Sequence, residues 1–274
     1  MTLQHGDVGQ QVTALQNKLN ATGASLSVDG WFGDETEKAV TRFQRKAGLF
    51  VDGIAGPATF AALDPTTPSE IGRKALREGD IKAAARKLGV QVAAIKAVTE
   101  VESRETGFLP SGRPDILFER HVMYRRLEPA EREHNAEKFP NIVNPKPGGY
   151  IGGEGEWRRL RRACSIAEPV AIESASWGLF QIMGFHWQAL GYTSAQDFYH
   201  KMIQNEAEHL DAFVRFIKLD SGLHAALKAR DWRSFAEQYN GPAYTRNHYD
   251  TRLAAAYDRH RAMGRSRETH AAAA

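Results

Sequence analysis

The sequence predicts a mainly α protein in two pieces, a small helical module followed by a larger α-rich domain with a minor β component. Three observations carry this. A motif is doubled within the first 64 residues, a proline- and threonine-containing stretch follows, and most of the text beyond residue 70 places apolar residues at helical spacing. The expected boundaries are a module over 1–64, a linker over 65–70 and a large domain over 71–274.

The module is read from its repeat. "VDGWFGDET" (28–36) returns as "VDGIAGPAT" (51–59), with Val, Asp, Gly, Gly and Thr at the same offsets. An amphipathic helix containing a glutamine precedes each copy. Val12, Leu15 and Leu19 share a face in the first, and Ala39, Val40 and Phe43 in the second. Asp-Gly makes the turn, and the later Gly-x-x-Thr opens the next helix. After Pro65 and Pro68, Ser69 is placed to cap a helix.

In the larger piece, helical spacing runs through 69–79, 80–89, 90–103, 195–218, 222–241 and 248–263. Between about 104 and 157 the sequence turns to glycine, proline and short runs, which predicts loops and a small sheet. The helix over 90–103 holds the first candidate. Val92, Ile95, Val98 and Thr99 form one stripe, and Glu102 falls in the middle of it. Glu100 is expected to project the opposite way, towards solvent beside Lys96, and Glu105 to lie beyond the helix end. A carboxylate on a buried stripe is costly unless paired or protonated, and desolvation raises its pKa as a general acid requires. The competing reading is a structural ion pair with Arg104 or Arg120. Two more stretches group polar and aromatic side chains: "ESASWGLFQIMGFHW" (173–187), with Gln181 between Phe180 and Ile182, and "EQYNGPAY" (237–244), a turn presenting Tyr239 and Asn240 together.

Composition bounds the rest. Hydrophobicity is ordinary, and no apolar run reaches the length of a membrane span. The start, "MTLQHGDVGQ", lacks the basic and apolar regions of a signal peptide. One cysteine, Cys164, excludes an intrachain disulfide; its spacing with Trp157 and Leu160 reads as a buried thiol rather than a peptidase nucleophile. Ten histidines without H-E-x-x-H or close ligand spacing give no zinc motif, so neither metal nor cofactor is expected. The net charge is +3, of which residues 1–64 carry −2 (five basic, seven acidic) and the remainder therefore +5. The basic part suits an anionic polymer. Arg158, Arg159, Arg161 and Arg162 read as a solvated basic face, and 147–157 as a mobile loop near a cleft.

Two resemblances add to this reading. The stretch "GDVGQQVTALQNKLN…VDGWFGDETEKAVTRFQRKAGLFVDGIAGPATFAAL" resembles the peptidoglycan-binding domain found at the ends of many cell-wall hydrolases. It implies a three-helix fold docking on the wall, with Asp29, Trp31, Phe32 and Phe43 as anchor residues. The order Glu102-Ser after "AVTEV", then "WGLFQI", then "QYNGP", resembles the lysozyme superfamily. Residues 70–264, with "DILFERHVMYRRL" (115–127), are similar to the N-acetylmuramidase domain of phage endolysins. That implies a lysozyme-like (α+β) domain with Glu102 as catalytic acid and Ser176, Gln181, Tyr239 and Asn240 binding sugar.

The resemblance also implies a departure. Animal lysozymes carry their second carboxylate in Asp-Tyr-Gly, where this chain has Ser176-Trp177-Gly178. Glu173 and Glu119 are the candidate replacements, each with a structural alternative. The implied protein is a monomeric endolysin with peptidoglycan, not nucleic acid, as its partner, held in the host cytoplasm until the membrane is opened. The alternatives are a lytic transglycosylase and a non-catalytic wall-binding protein.

Overall fold

A computed structural model describes residues 2–64, 74–102, 106–241, 245 and 247–271, with side chains described up to Gly264. The linker at 65–70, Ser69, Arg104, Glu105 and the end of the "EQYNGPAY" turn lie outside these residues. The chain forms two compact units, 1–105 with 220–274, and 106–219.

The first unit begins with the module. Helices α1 (Gln10–Ala21), α2 (Asp34–Lys46) and α3 (Pro57–Leu63) close on Leu3, Val12, Leu15, Leu19, Phe32, Ala39, Val40, Ala55 and Leu63. The repeat is also a repeat of hydrogen bonds. In the first copy the buried amide of Gln16 donates to Asp29 Oδ1 (2.7 Å), the Trp31 carbonyl (3.0 Å) and Thr36 Oγ1 (3.2 Å), while Gly30 N donates to Gln16 Oε1 (2.9 Å). In the second, Gln44 donates to Asp52 Oδ1 (2.7 Å), the Ile54 carbonyl (2.8 Å) and Thr59 Oγ1 (3.2 Å), and accepts from Gly53 N (3.0 Å). A buried amide satisfied on both ends fixes each turn to its helix. Gly30 and Gly53 both have positive φ (72° and 82°), which is why glycine follows each aspartate.

The same unit continues with α4 (Glu78–Leu88), ended by left-handed Gly89, and α5 (Val92–Glu102). It is completed by α11 (Ser221–Ala229), α12 (Trp232–Asn240) and α13 (Tyr249–Ala271), the last packed along α5. The helical run expected over 222–241 breaks at Arg230 (φ 60°), after which Asp231 caps α12 through Ser234 N. Of the helix expected over 69–79, residues 69–73 lie outside the described residues. It is interrupted at 75–77, where Arg77 bridges Leu49 and Phe50 N donates to the Leu76 carbonyl at 3.1 Å, and Glu78 then opens α4.

The second unit is built on a three-stranded antiparallel sheet, β1 (Ile116–Phe118), β2 (Ala175–Trp177) and β3 (Ile182–Met183). Leu117 pairs with Ser176, and Ser176 with Met183. Around it lie α6 (Arg120–Arg126), α7 (Pro129–Lys138), α8 (Glu154–Glu173), α9 (Ala195–Met202) and α10 (Glu206–Leu219). Helix α8 kinks at Ala167, where Pro169 removes a backbone donor.

Two expectations are corrected here. The glycine-rich loop is pinned: Ile151 N (2.6 Å), Gly152 N (3.1 Å) and Phe118 N (3.1 Å) all donate to the fully buried Glu156. The basic face loses Arg159, which is buried and pairs with that carboxylate at 2.7 Å. Burial pushes Glu156 up, but these donors outweigh it and hold the carboxyl below its ordinary range.

Candidate functional site

The carboxylate that the helical stripe singles out is the last described residue of α5, and its side chain is partly buried. Burial pushes Glu102 up to about 7, against a hydrogen bond from Asn240 Nδ2 (3.0 Å) and the positive charge of Arg252. Asn240 ends α12, and Tyr239 precedes it, stacked on Phe235 with ring centroids 5.8 Å apart. Burial, then the neighbouring charge of Glu102, raise the Tyr239 phenol above its ordinary value, so it stays neutral. The first unit therefore brings Glu102, Tyr239 and Asn240 together at two helix ends. This combination titrates near neutral pH and has an amide to orient the carboxyl group. Arg252 lies on α13 in no recognisable motif, so sequence reasoning had no signal for it.

The opposite face of α5 is not solvated. Lys96 is 5% exposed; its ammonium pairs with Glu78 at 2.8 Å and donates to the Val51 carbonyl at 3.0 Å. Glu100 accepts from Arg259 and from His260 Nε2 (2.8 Å). Burial pushes Glu100 up, but those donors prevail and hold it low. The expected solvent face is thus a second packed face, on which the buried charges are paired.

Ser176 and Gln181 belong to the second unit, where they bind each other. Ser176 Oγ donates to Gln181 Oε1 at 2.8 Å, and Gln181 Nε2 donates to the Gly178 (2.8 Å) and Asp115 (3.3 Å) carbonyls. Gln181 takes a left-handed backbone, φ 51°, a strained conformation for a non-glycine residue. Gly178 (φ 68°) is required beside it, because a Cβ there would meet the His209 ring at 2.5 Å.

Both candidate second carboxylates are engaged within the same unit. Glu173 pairs with Arg126 and accepts from Trp187 Nε1, each at 2.7 Å. Glu119 accepts from the Tyr150 hydroxyl at 2.8 Å and pairs with His121 at 3.1 Å. Arg120 is bound to the carbonyls of Pro140, Lys146 and Pro147. Cys164 lines a cavity of about 330 Å³ with Trp157, Leu160 and Tyr199; burial, then the charge of Glu168, raise its thiol above its ordinary range. Among the described residues, no three His, Cys, Asp or Glu side chains form a metal-binding group. No described helix is long and apolar enough to cross a membrane.

The four anchor candidates separate by exposure. Trp31 is 55% exposed beside the exposed Val8, which it bridges, while Phe32 is 0% exposed and supports the core. Phe43 packs partly buried on the same core, and Asp29 stands at the surface held by Gln16 and Trp31 N. Hydrogen bonds from these two hold the Asp29 carboxyl below its ordinary range. The glutamines were legible only as a recurring helix residue. Their distance to the aspartate differs between copies, which hides their common role.

Comparison with known proteins gives two family matches: residues 91–261 to N-acetylmuramidase, and residues 8–63 to a putative peptidoglycan binding domain. The chain is similar to the crystal structure of a Burkholderia AP3 phage endolysin, at 48% identity and a TM-score of 0.88, over 95% of this chain and 99% of that one. Among curated proteins, it is 52% identical over 62 residues to a zinc D-Ala-D-Ala carboxypeptidase of Streptomyces albus G. It is 46% identical over 80 residues to an N-acetylmuramoyl-L-alanine amidase of Bacillus licheniformis. These matches take 22% and 26% of this chain, and span only 24% and 22% of the curated relatives. The muramidase match covers more than half of the chain and contains both Glu102 and Asn240; the protein belongs to the N-acetylmuramidase family.

Proposed function

We propose that this protein is a bacteriolytic endolysin that hydrolyses the β-1,4 bond between N-acetylmuramic acid and N-acetylglucosamine, with Glu102 as the general acid. The observation that carries the reading is a partly buried carboxylate whose pKa lies at about 7, held by Asn240 at a helix end. At neutral pH it is protonated often enough to give its proton to the leaving glycosidic oxygen as positive charge develops at the anomeric carbon. Once ionised, it is a base close to that carbon. Glu173 and Glu119 act in this reading as scaffold, since each already holds two partners.

The module carries Trp31 outward and concentrates the enzyme at its insoluble substrate. The likeness to a phage endolysin supports storage on the cytoplasmic side of the host membrane until that membrane is opened. The protein is read as a monomer, which light scattering checks.

The test is mass spectrometry of products released from purified peptidoglycan by wild type and by Glu102→Gln. Reducing muramic acid ends, with the variant's rate lowered about 10²–10⁴-fold, are expected for loss of a general acid. Anhydro ends would make the enzyme a transglycosylase, and free stem peptides on intact glycan would overturn the bond assignment. The alkaline limb of the pH–rate profile should fall near pH 7, because the acid must be protonated and works only below its own pKa.

A further inference from the structure

We propose that the second repeat of the N-terminal module is a brace for the catalytic helix, and that Lys96 is a positioning residue for Glu102. The inference rests on Glu102 being the acid. Helix α5 is described over eleven residues, and the acid is the last of them, towards the C-terminal end, where an unsupported helix frays. Six residues upstream, the buried ammonium of Lys96 ties the helix to the Val51 carbonyl of the module and to Glu78 at the start of α4. The same ammonium lies 5.6 Å from the Phe50 ring centroid, and that ring tilts against His260 at 6.3 Å.

The attachment continues on both sides of this contact. Residues 49 and 50 are joined by backbone hydrogen bonding to 76 and 77, and the Arg77 guanidinium donates to the Ala47 carbonyl at 3.2 Å. Asp52, Gly53 and Ile54 share the lining of a cavity of about 400 Å³ with Glu100 and Arg259. The turn that in the first repeat faces outward is therefore packed, in the second, against the helix that ends in the acid. A group that buries its charge to hold a backbone carbonyl of another segment fixes direction as well as distance, and a buried lysine is costly unless it is paired in this way. Holding α5 here keeps Glu102 partly desolvated and within reach of Asn240. The module then has two separate tasks, retention on the wall by its first repeat and positioning of the acid by its second.

The test uses the full chain and a short soluble glycan strand of alternating N-acetylglucosamine and N-acetylmuramic acid, for which wall retention is irrelevant. Lys96→Met should lower kcat about 5- to 20-fold with KM changed less than about twofold, because the interaction acts on the reacting group rather than on substrate binding. Its alkaline pH limb should move down by about one unit, as water reaches the carboxyl and its pKa returns towards the ordinary value. Lys96→Arg, which retains the charge and the stem, should recover most of both.

If Lys96→Met does not fold, Phe50→Leu is read in the same way, with a smaller expected loss of about 2- to 5-fold. Folded variants with wild-type kcat and an unmoved alkaline limb overturn the brace, even if their melting temperature falls. An inactive Glu102→Gln beside them leaves the acid assignment standing. An active Glu102→Gln removes the acid assignment and the brace together.

Discussion

The two halves of the N-terminal module have the same internal chemistry and opposite surroundings. Each hangs an Asp-Gly turn from a buried glutamine, with matching hydrogen bonds to an aspartate, a carbonyl and a threonine. In the first, the turn ends in the exposed Trp31 and its aspartate carboxyl is held low. In the second, the turn lies against α5, Ile54 replaces the tryptophan, and Asp52 is pushed up to about 6 by burial and by the charge of Glu100. A duplicated motif thus supplies one copy to face outward and one to build the protein. What distinguishes them is the covering helix together with the isoleucine that stands where the first copy has tryptophan.

The largest expected effect comes from removing each glutamine. Gln16→Ala and Gln44→Ala should each cost on the order of 2–4 kcal/mol of stability in denaturant melts, since the buried donors and acceptors around a lost amide stay unsatisfied. The comparison is sharpened by activity on a soluble glycan. Gln44→Ala should also lower kcat severalfold, because the Val51 carbonyl belongs to the turn it holds; Gln16→Ala should leave kcat within about twofold. Equal losses of kcat in both variants would break the division of labour.

A smaller effect, about tenfold, is expected in co-sedimentation with purified peptidoglycan. Trp31→Ala removes an exposed aromatic worth about 1–2 kcal/mol in contact with a sugar or peptide face. Ile54→Ala, at the matching offset, should leave sedimentation within about twofold. The reverse result would transfer wall binding to the second repeat.

Much of this was legible in the sequence, and the exceptions share a cause. The doubled motif, the core positions Val12, Leu15 and Leu19, and the placement of Glu102 on a buried stripe all follow from local periodicity. The same helical wheel put Lys96 and Glu100 in solvent. Their partners lie far along the chain, at Val51, Arg259 and His260, and a single-helix pattern contains no information about them. The glycine-rich stretch 147–157 looked mobile for a related reason: its amides are fixed by Glu156, which ordinary expectation places at the surface. Helices α6 and α7 were missed because they are short, and α7 buries no residue at all, so it carries no apolar stripe to detect. For Gln181, sequence position between two apolar residues suggested an inward amide. It could not show that the amide is committed to Ser176, Gly178 and Asp115.

The smallest expected effect depends on pH and has opposite sign in the two repeats, which makes it the most discriminating. Asp52 has its pKa raised from 3.8 to about 6, so between those values the folded protein holds a proton that the unfolded chain has released. Stability therefore falls as pH rises through that window, and above it the ionised Asp52 faces Glu100 in a cavity that Asp34 and Glu37 also line, with His5 and Arg259 as the basic groups there. Asp52→Asn removes this cost while keeping an oxygen for Gln44 and Ile54 N, so it should stabilise by on the order of 1 kcal/mol at pH 8 and by nothing near pH 3.5. Asp29 has the opposite shift: its lowered pKa contributes stability above the unfolded value that is lost as pH falls through the folded one. Asp29→Asn should then be slightly destabilising at pH 8 and neutral in acid. Thermal melts of the two variants at both pH values read the difference directly. If Asp52→Asn is destabilising at pH 8 as well, the second turn is not crowded by the charge of α5, and the two repeats have the same surroundings after all.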